Sequence, residues 1–421
     1  MLTLKIPASR APRAVVHAAH RTEGHSLALR LPAVRLLTGN GHDTDERHAT
    51  WLELFFDLVF LAATAQLAAV LASHASIGGI ARFAALFTVI WWVWVMFTTY
   101  SDRFGTEDLF HRFSILLAML LAVGLVAATP AAFLGHATPF VVAYLLLKVE
   151  QVGLFVRAWR NVPAIRPFYG RFIATGVFSC VCWSASLAVT GPARLALCAV
   201  GLLAEMLTPW LSIEAAQRAP LNVSHLPERF GTFVLIVLGG SVVQLVTAAS
   251  QRPWTVQLAV VLFAAFTTIA AMWWIAFNSF DHDAVRRGRR PTLVYIYIQL
   301  PLVAAIAGVS AGLHRAILAA TGAGPIHLGP RIAIYAGVAV ALVMTAVLPA
   351  GHAHPRARRI RLIAAAVAAG LVAMGAVVAP VFLLPSLSLV LAAVVASDEL
   401  CFGTSRSRCR ERQRLALSVT S

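Results

Sequence analysis

Charge is scarce in this chain. Asp, Glu, Lys and Arg supply 12% of its 421 residues, against about 25% in an ordinary soluble domain. Acids are scarcer than bases, 18 against 34, for a formal net charge of +16. A basic excess suits nucleic acid or an anionic membrane surface. Here the arginines sit in short loops between apolar runs, which reads as a topology signal and not as a nucleic-acid patch. Cysteine is sparse too: Cys180, Cys182, Cys198, Cys401 and Cys409, with no CxxC pair and no Cys/His cluster. That spacing gives no zinc site, and neither a metal nor a cofactor is expected. The first 47 residues lack the apolar stretch of about 7–15 residues that follows a basic start in a secretory signal. They read as a basic, disordered cytoplasmic tail, or as sequence upstream of the native start.

What the chain has in abundance is apolar length. Hydrophobic residues make up 59% and mean hydropathy is +0.78. A helix needs about 20 apolar residues to cross the hydrocarbon, and twelve candidate runs lie between Trp51 and Ser397. Only Pro380 separates the last two, Leu362–Ala379 and Val381–Ser397. The reading is an all-α integral membrane protein of about twelve transmembrane helices, with the lipid bilayer as its partner.

The basic loops orient it. With the N-terminus inside, 28 Lys and Arg fall on the inner side and five on the outer, namely Arg82, Arg194, Arg252, Arg315 and Arg331. Cytoplasmic loops carry that excess, so both termini are expected in the cytoplasm of a cell-membrane protein. The second span ends WVMFTTYSD (Trp94–Asp102) and the eighth WIAFNSFDHD (Trp274–Asp283). Six helices apart, they suggest a parallel six-plus-six repeat. The expected organisation is a tail at 1–47, halves at 48–213 and 214–398, and a basic tail at 399–421. The tryptophans of these segments read as interface-belt or packing residues.

The candidate chemistry lies in charges placed inside apolar runs. Glu53 and Asp57 share a helix face, and Asp57 lies roughly 9 Å past the inner boundary at 1.5 Å per residue. An ionised group at the membrane centre costs about 2.5–3.5 kcal/mol, so this face should meet water, a cation or a proton. In the fourth span, Lys148 is the one base deep in the membrane. It shares a face with Gln151, while Glu150 points elsewhere. Its neutralising partner is expected to be Asp57 or Glu205 of the sixth span. Pro209 should kink that span and free carbonyls. His225, Glu228 and Arg229 mark the inner boundary of the seventh span, the last two readable as an interfacial pair. Gly239 and Gly240 mid-span read as close-packing positions.

Three stretches resemble a known group. WLELFFDLVFLAATAQLA, WVWVMFTTYSDRFGTEDL and HLPERFGTFVLIVLGGSVV are similar to the bacterial low temperature requirement protein A family, over about Thr50 to Ser397. The resemblance implies a polytopic membrane protein and no substrate, its biochemical activity being unestablished. By position, the motif residues are Glu53, Phe55, Phe56, Asp57, His225, Glu228, Arg229 and Gly231. The family pattern usually has glutamate where this chain has Gly240, close to the counterpart of Asp57 in the repeat alignment.

Three functional classes remain open from sequence. The first is a secondary transporter or carrier of a proton, cation or small solute, using the intramembrane acids. The second is a membrane-embedded enzyme on lipid-linked substrates around His111, His225 and His282, for which no hydrolase or metal spacing speaks. The third is a structural or sensing protein in cold or membrane adaptation.

Overall fold

The computed structural model describes residues 49–104, 108–222, 224–279, 287–320, 326–348 and 355–419, with side chains to Leu400. The 1–47 tail, Glu107 and the triplet Asp281, His282 and Asp283 lie outside the described residues. The described chain is helical, with no strand among those residues. Its helices are α1 Trp51–Ser73, α2 Ile77–Arg103, α3 Leu109–Phe133, α4 Thr138–Asn161, α5 Arg166–Ala185 and α6 Gly191–Leu211. There follow α7 His225–Ala249, α8 Val256–Ser279, α9 Arg289–Leu318, α10 Leu328–Val347, α11 Pro355–Met374 and α12 Pro380–Val419. A π turn at Ile332–Ala336 interrupts α10. The expected basic tail at 399–421 continues α12 as helix through Val419.

Local sequence fixes the helix starts. Thr50 and Glu53 form a capping box: the Thr50 side chain accepts from the Glu53 amide and the Glu53 carboxylate accepts from the Thr50 amide. These bonds satisfy donors that a helix start leaves orphaned. Ser76 and Asp108 cap α2 and α3 through their side chains, and α4, α5 and α6 each open with proline in the first two positions, where its missing N–H is harmless.

Eleven helical segments among the described residues are long and apolar enough to cross a membrane, one fewer than expected. The difference is α11. It begins at Pro355 and carries Arg356, Arg358, Arg359 and Arg361 in its first two turns, so its apolar part starts only at Leu362.

Contacts between helices bring distant sequence together. Along the chain α1 packs on α3, α3 on α4, α4 on α5 and α5 on α6; further on, α7 packs on α9, α9 on α10, α10 on α11, and α11 and α8 on α12. α1 also contacts α7 and α9, and α2 contacts α7, α9 and the start of α10. From Val89 to Phe104 every residue of α2 and its cap is buried. A helix apolar and buried all round lies inside its bundle. Trp91, Trp92 and Trp94 are therefore core residues and not an interface belt, whereas Trp273 and Trp274 are exposed. Leu120, Phe263 and Leu389 stand among many exposed large apolar side chains, as lipid-facing surface requires.

Candidate functional site: two charge networks flanking the second helix

The first network gathers α1, α2 and α7 at the end of the bundle where α1 begins. Asp57 is fully buried, and its Oδ1 accepts from Arg229 Nη2 at 2.8 Å and from Trp94 Nε1 at 2.8 Å. One turn earlier, Glu53 Oε2 lies 3.2 Å from His225 Nε2. The other ring nitrogen, Nδ1, lies 2.7 Å from Asp102 Oδ1. A neutral imidazole donates from one nitrogen only, so the doubly protonated ring is the form that donates to both carboxylates. Asp102 Oδ2 also accepts from the Asn222 amide at 2.7 Å, which ties the approach to α7 to the end of α2. Phe233 stacks on Trp94 with ring centroids 4.2 Å apart, and Phe230 meets it edge-on. These rings hold the indole donor aimed at Asp57.

This network is open on one side. A cavity of about 520 Å³ between α1, α2 and α3 is lined by Glu53, Phe56, Thr98, Ser101, His111 and Arg229, among others. Arg229 Nε and Nη1 and Asp57 Oδ2 make no hydrogen bond within the described protein, so the pair retains capacity for a further polar partner. Asp108 stands at the start of α3, one turn before the cavity-lining His111. Its carboxylate caps α3 through the His111 amide at 2.6 Å and pairs with Arg157 of α4 at 2.8 Å. Burial by itself would raise the Asp108 pKa, but the bonds from Arg157 and His111 outweigh it and hold the carboxyl below its ordinary 3.8.

The second network lies on the other flank of α2. Lys148 Nζ sits 2.5 Å from Glu205 Oε2 and 2.6 Å from Gln151 Oε1. Glu205 also accepts from Trp92 Nε1 at 3.0 Å and from Tyr144 Oη at 3.1 Å. A lysine and a carboxylate this deep are tolerable because each is paired and hydrogen-bonded. Pro209, one turn after Glu205, lines a neighbouring cavity of about 350 Å³ with Trp92, Arg103 and Arg289. The Tyr297 hydroxyl donates to the carbonyl of Met206, beside that proline.

The charges predicted from sequence thus divide into two sets. Of the two partners open to Lys148, the structure selects Glu205, because α4 and α6 meet on the flank of α2 away from α1. Asp57 pairs with Arg229 instead, so Arg229 is no interfacial partner of Glu228 but a buried charge at 1% exposure. Glu228, at the start of α7, makes an interaction elsewhere. Glu150 belongs to neither set: it is half-buried on another face of α4, with no hydrogen bond to either carboxylate oxygen within the described protein. His111 lines the cavity and His225 sits behind Glu53, while His282 lies outside the described residues. Gly240 packs against Leu61, one turn beyond Asp57, where an added Cβ would lie 2.7 Å from Leu61 Cδ1. Gly239 has nothing within 4 Å and serves no close packing. Among the described residues no group of three or more His, Cys, Asp or Glu is arranged to hold a metal.

Glu53 and Asp57 of α1 thus meet His225 and Arg229 of α7, on two helices far apart in sequence. Residues 48–396 match the family described as bacterial low temperature requirement A protein (LtrA). The chain belongs to the bacterial low temperature requirement A family. The uncharacterized protein RA0937 of Rhizobium meliloti (strain 1021) is 30% identical over 285 residues, 64% of this chain and 70% of that protein. No solved structure matches.

Several residues of this LtrA member escaped sequence reasoning. Trp92 and Trp94 read as packing, yet their indoles are the donors that hold Glu205 and Asp57. Their signal was the run WWVWV, apolar all round, in which a buried indole N–H usually finds an acceptor, although that of Trp91 finds none among the described residues. Asp102, given no role beyond closing the WVMFTTYSD stretch, is a fully buried partner of His225. Arg361 counted as a loop base. It is buried, pairs with Asp398 at 2.6 Å and donates to Ser279 Oγ and the Thr345 carbonyl. It escaped notice because α11 starts seven residues before the apolar run does.

Proposed function

We propose that this protein is a secondary transporter, a carrier of a proton, cation or small solute built as two six-helix halves in parallel repeat, with both termini cytoplasmic. The observation that carries this reading is the 520 Å³ cavity that reaches Glu53 and Arg229 of the Asp57 network. A carrier needs an ionisable group inside the membrane with access from one side, and a site between parts that move against each other. Glu53 and Asp57 belong to α1, whereas His225 and Arg229 belong to α7, so the network spans the two halves. The sequence of helix contacts, α1–α3–α4–α5–α6 and α7–α9–α10–α11–α12, supports the repeat. Arg112 lines this cavity, Arg157 pairs with Asp108 at the start of α3, and Arg103 and Arg289 line the neighbouring cavity, a basic character that supports the cytoplasmic assignment.

In this mechanism Asp57 exchanges its bond to Arg229 for a proton or cation. Arg229, released, turns to Glu53, and His225 shares its protons between Glu53 and Asp102. The Lys148–Glu205 pair, fully hydrogen-bonded, holds the first half rigid. Purified protein in liposomes loaded with a pH-sensitive dye, challenged with a pH gradient and candidate solutes, tests the reading. The native chain should give a flux that Asp57→Asn abolishes. A native flux that Asp57→Asn leaves unchanged would sink the role given to Asp57.

A further inference from the structure

At the end of the bundle opposite His225, the ends of α1, α3 and α9 meet the starts of α2 and α10 around a separate cavity of about 440 Å³. Its walls carry His74, Arg82, Arg315 and His327, with Ser73 and Ser76 between them. These groups come from the α1–α2 and α9–α10 junctions, far apart in sequence, so local composition does not account for their meeting.

The charge around them is one-sided. None of the 18 Asp and Glu residues lies in the segments joining α1 to α2, α3 to α4, α5 to α6, α7 to α8, α9 to α10 or α11 to α12. Arginine at this end also runs against the bias that keeps basic residues cytoplasmic. Only five of the chain's arginines are assigned to this side, and two of them share one cavity. Arg82 Nη1 donates to the Phe133 carbonyl at 3.3 Å, a contact that positions the guanidinium without neutralising it.

The backbone adds to the same field. α2 begins at Ile77 and α10 at Leu328, both on this cavity. A helix N-terminus carries partial positive charge, so both starts favour an anion, although the Ser76 hydroxyl already caps the Gly79 amide at 3.0 Å. The two junctions are locked together: a Cβ on Gly329 would lie 2.0 Å from the Ala75 carbonyl oxygen.

We propose that this cavity is an anion-binding vestibule, taking a small oxyanion of the phosphate or carboxylate class between Arg82 and Arg315. His327, the His74 ring nitrogen not directed at the Val70 carbonyl, and the Ser76 hydroxyl proton would supply the remaining donors, Ser73 already donating to the Ala69 carbonyl. A phosphate group reaches this site either as a free solute or as a lipid headgroup of the adjacent leaflet. The proposal is independent of the carrier reading, because it concerns equilibrium binding at the other end of the bundle and no transport enters its test.

The test uses the full chain in nanodiscs of zwitterionic lipid, titrated with inorganic phosphate by calorimetry. A parallel arm replaces part of the lipid with phosphatidylglycerol and counts retained lipid by native mass spectrometry. Binding in the first arm identifies a free anion, and in the second a headgroup. In either, Arg82→Gln and Arg315→Gln should each weaken binding about tenfold, the loss of one charged hydrogen bond. Arg82→Lys, which keeps the charge, should retain most of it. Arg82 is exposed and Arg315 half-buried, so thermal melts of the ligand-free variants should match the native chain. Arg252→Gln removes the same charge at the same end but outside the cavity, and should change nothing. The proposal is overturned if the native chain binds neither probe, or if Arg252→Gln weakens binding as much as Arg82→Gln.

Discussion

Replacing Arg229 by methionine should cost this protein a large part of its stability, and replacing Asp57 as well should return most of it. The side chains are 1% and 0% exposed and meet at 2.8 Å between α1 and α7. Without Arg229, Asp57 keeps only the Trp94 indole as a donor, and a buried charge stripped of its partner costs about 3–5 kcal/mol. Asp57→Asn leaves the converse fault, an arginine in the interior without its carboxylate. The double variant Asp57→Asn/Arg229→Met carries neither charge, keeps the Trp94 bond to the asparagine oxygen, and fills the space of the guanidinium stem. Its cost should fall to about 1 kcal/mol, the net worth of a hydrogen bond. The four proteins form a cycle whose coupling energy should exceed about 2 kcal/mol. Reversible unfolding in mixed micelles, followed by far-UV circular dichroism, measures it. A double variant as unstable as the sum of the two singles, with coupling below about 0.5 kcal/mol, would refute the pairing.

Three further outcomes are expected. Asp108 has its carboxyl held below 3.8, so its contribution is present above the unfolded value and is lost as pH falls through the folded one. Asp108→Ala should therefore cost about 1 kcal/mol at neutral pH, the worth of a cap, and the difference from the native chain should vanish in acid melts. Gly329→Ala drives a Cβ to 2.0 Å from the Ala75 carbonyl oxygen and 2.8 Å from the Ser76 amide. Backbone atoms cannot step aside, so the loss should be about 3 kcal/mol or more. Gly370→Ala, in α11 with nothing within 4 Å, should instead stabilise by about 0.5–1 kcal/mol; thermal melts of the two variants separate these cases.

Much of the architecture was legible because the bilayer is a strict solvent. A membrane span must satisfy its own backbone, so apolar length translates directly into helix, and eleven of the twelve predicted runs recur as segments able to cross. The exception, α11, shows the limit of that rule: hydropathy registers the arginine-rich turns as loop, although Arg361 is buried against Asp398. Facing was legible too. Glu53 and Asp57 share an inward face, and Lys148 shares one with Gln151, because a 3.6-residue period requires it.

Pairing was not. Charge scarcity said that Lys148 needs an acid, and from sequence Asp57 and Glu205 both qualified. The choice rests on which helices touch: α6 brings Glu205 to Lys148 on one flank of α2, and α7 brings Arg229 to Asp57 on the other. The indoles of Trp92 and Trp94 point to opposite flanks because two residues on a helix are about 200° apart, so one run of aromatics serves two networks. The sequence by itself determined an α-helical membrane protein of this family and the faces its charges occupy, since lipid and helix geometry act residue by residue. The tertiary structure decided the partners, the cavity that reaches Glu53 and Arg229, and the basic vestibule at the far end. Each of those depends on contacts between helices that no local rule specifies.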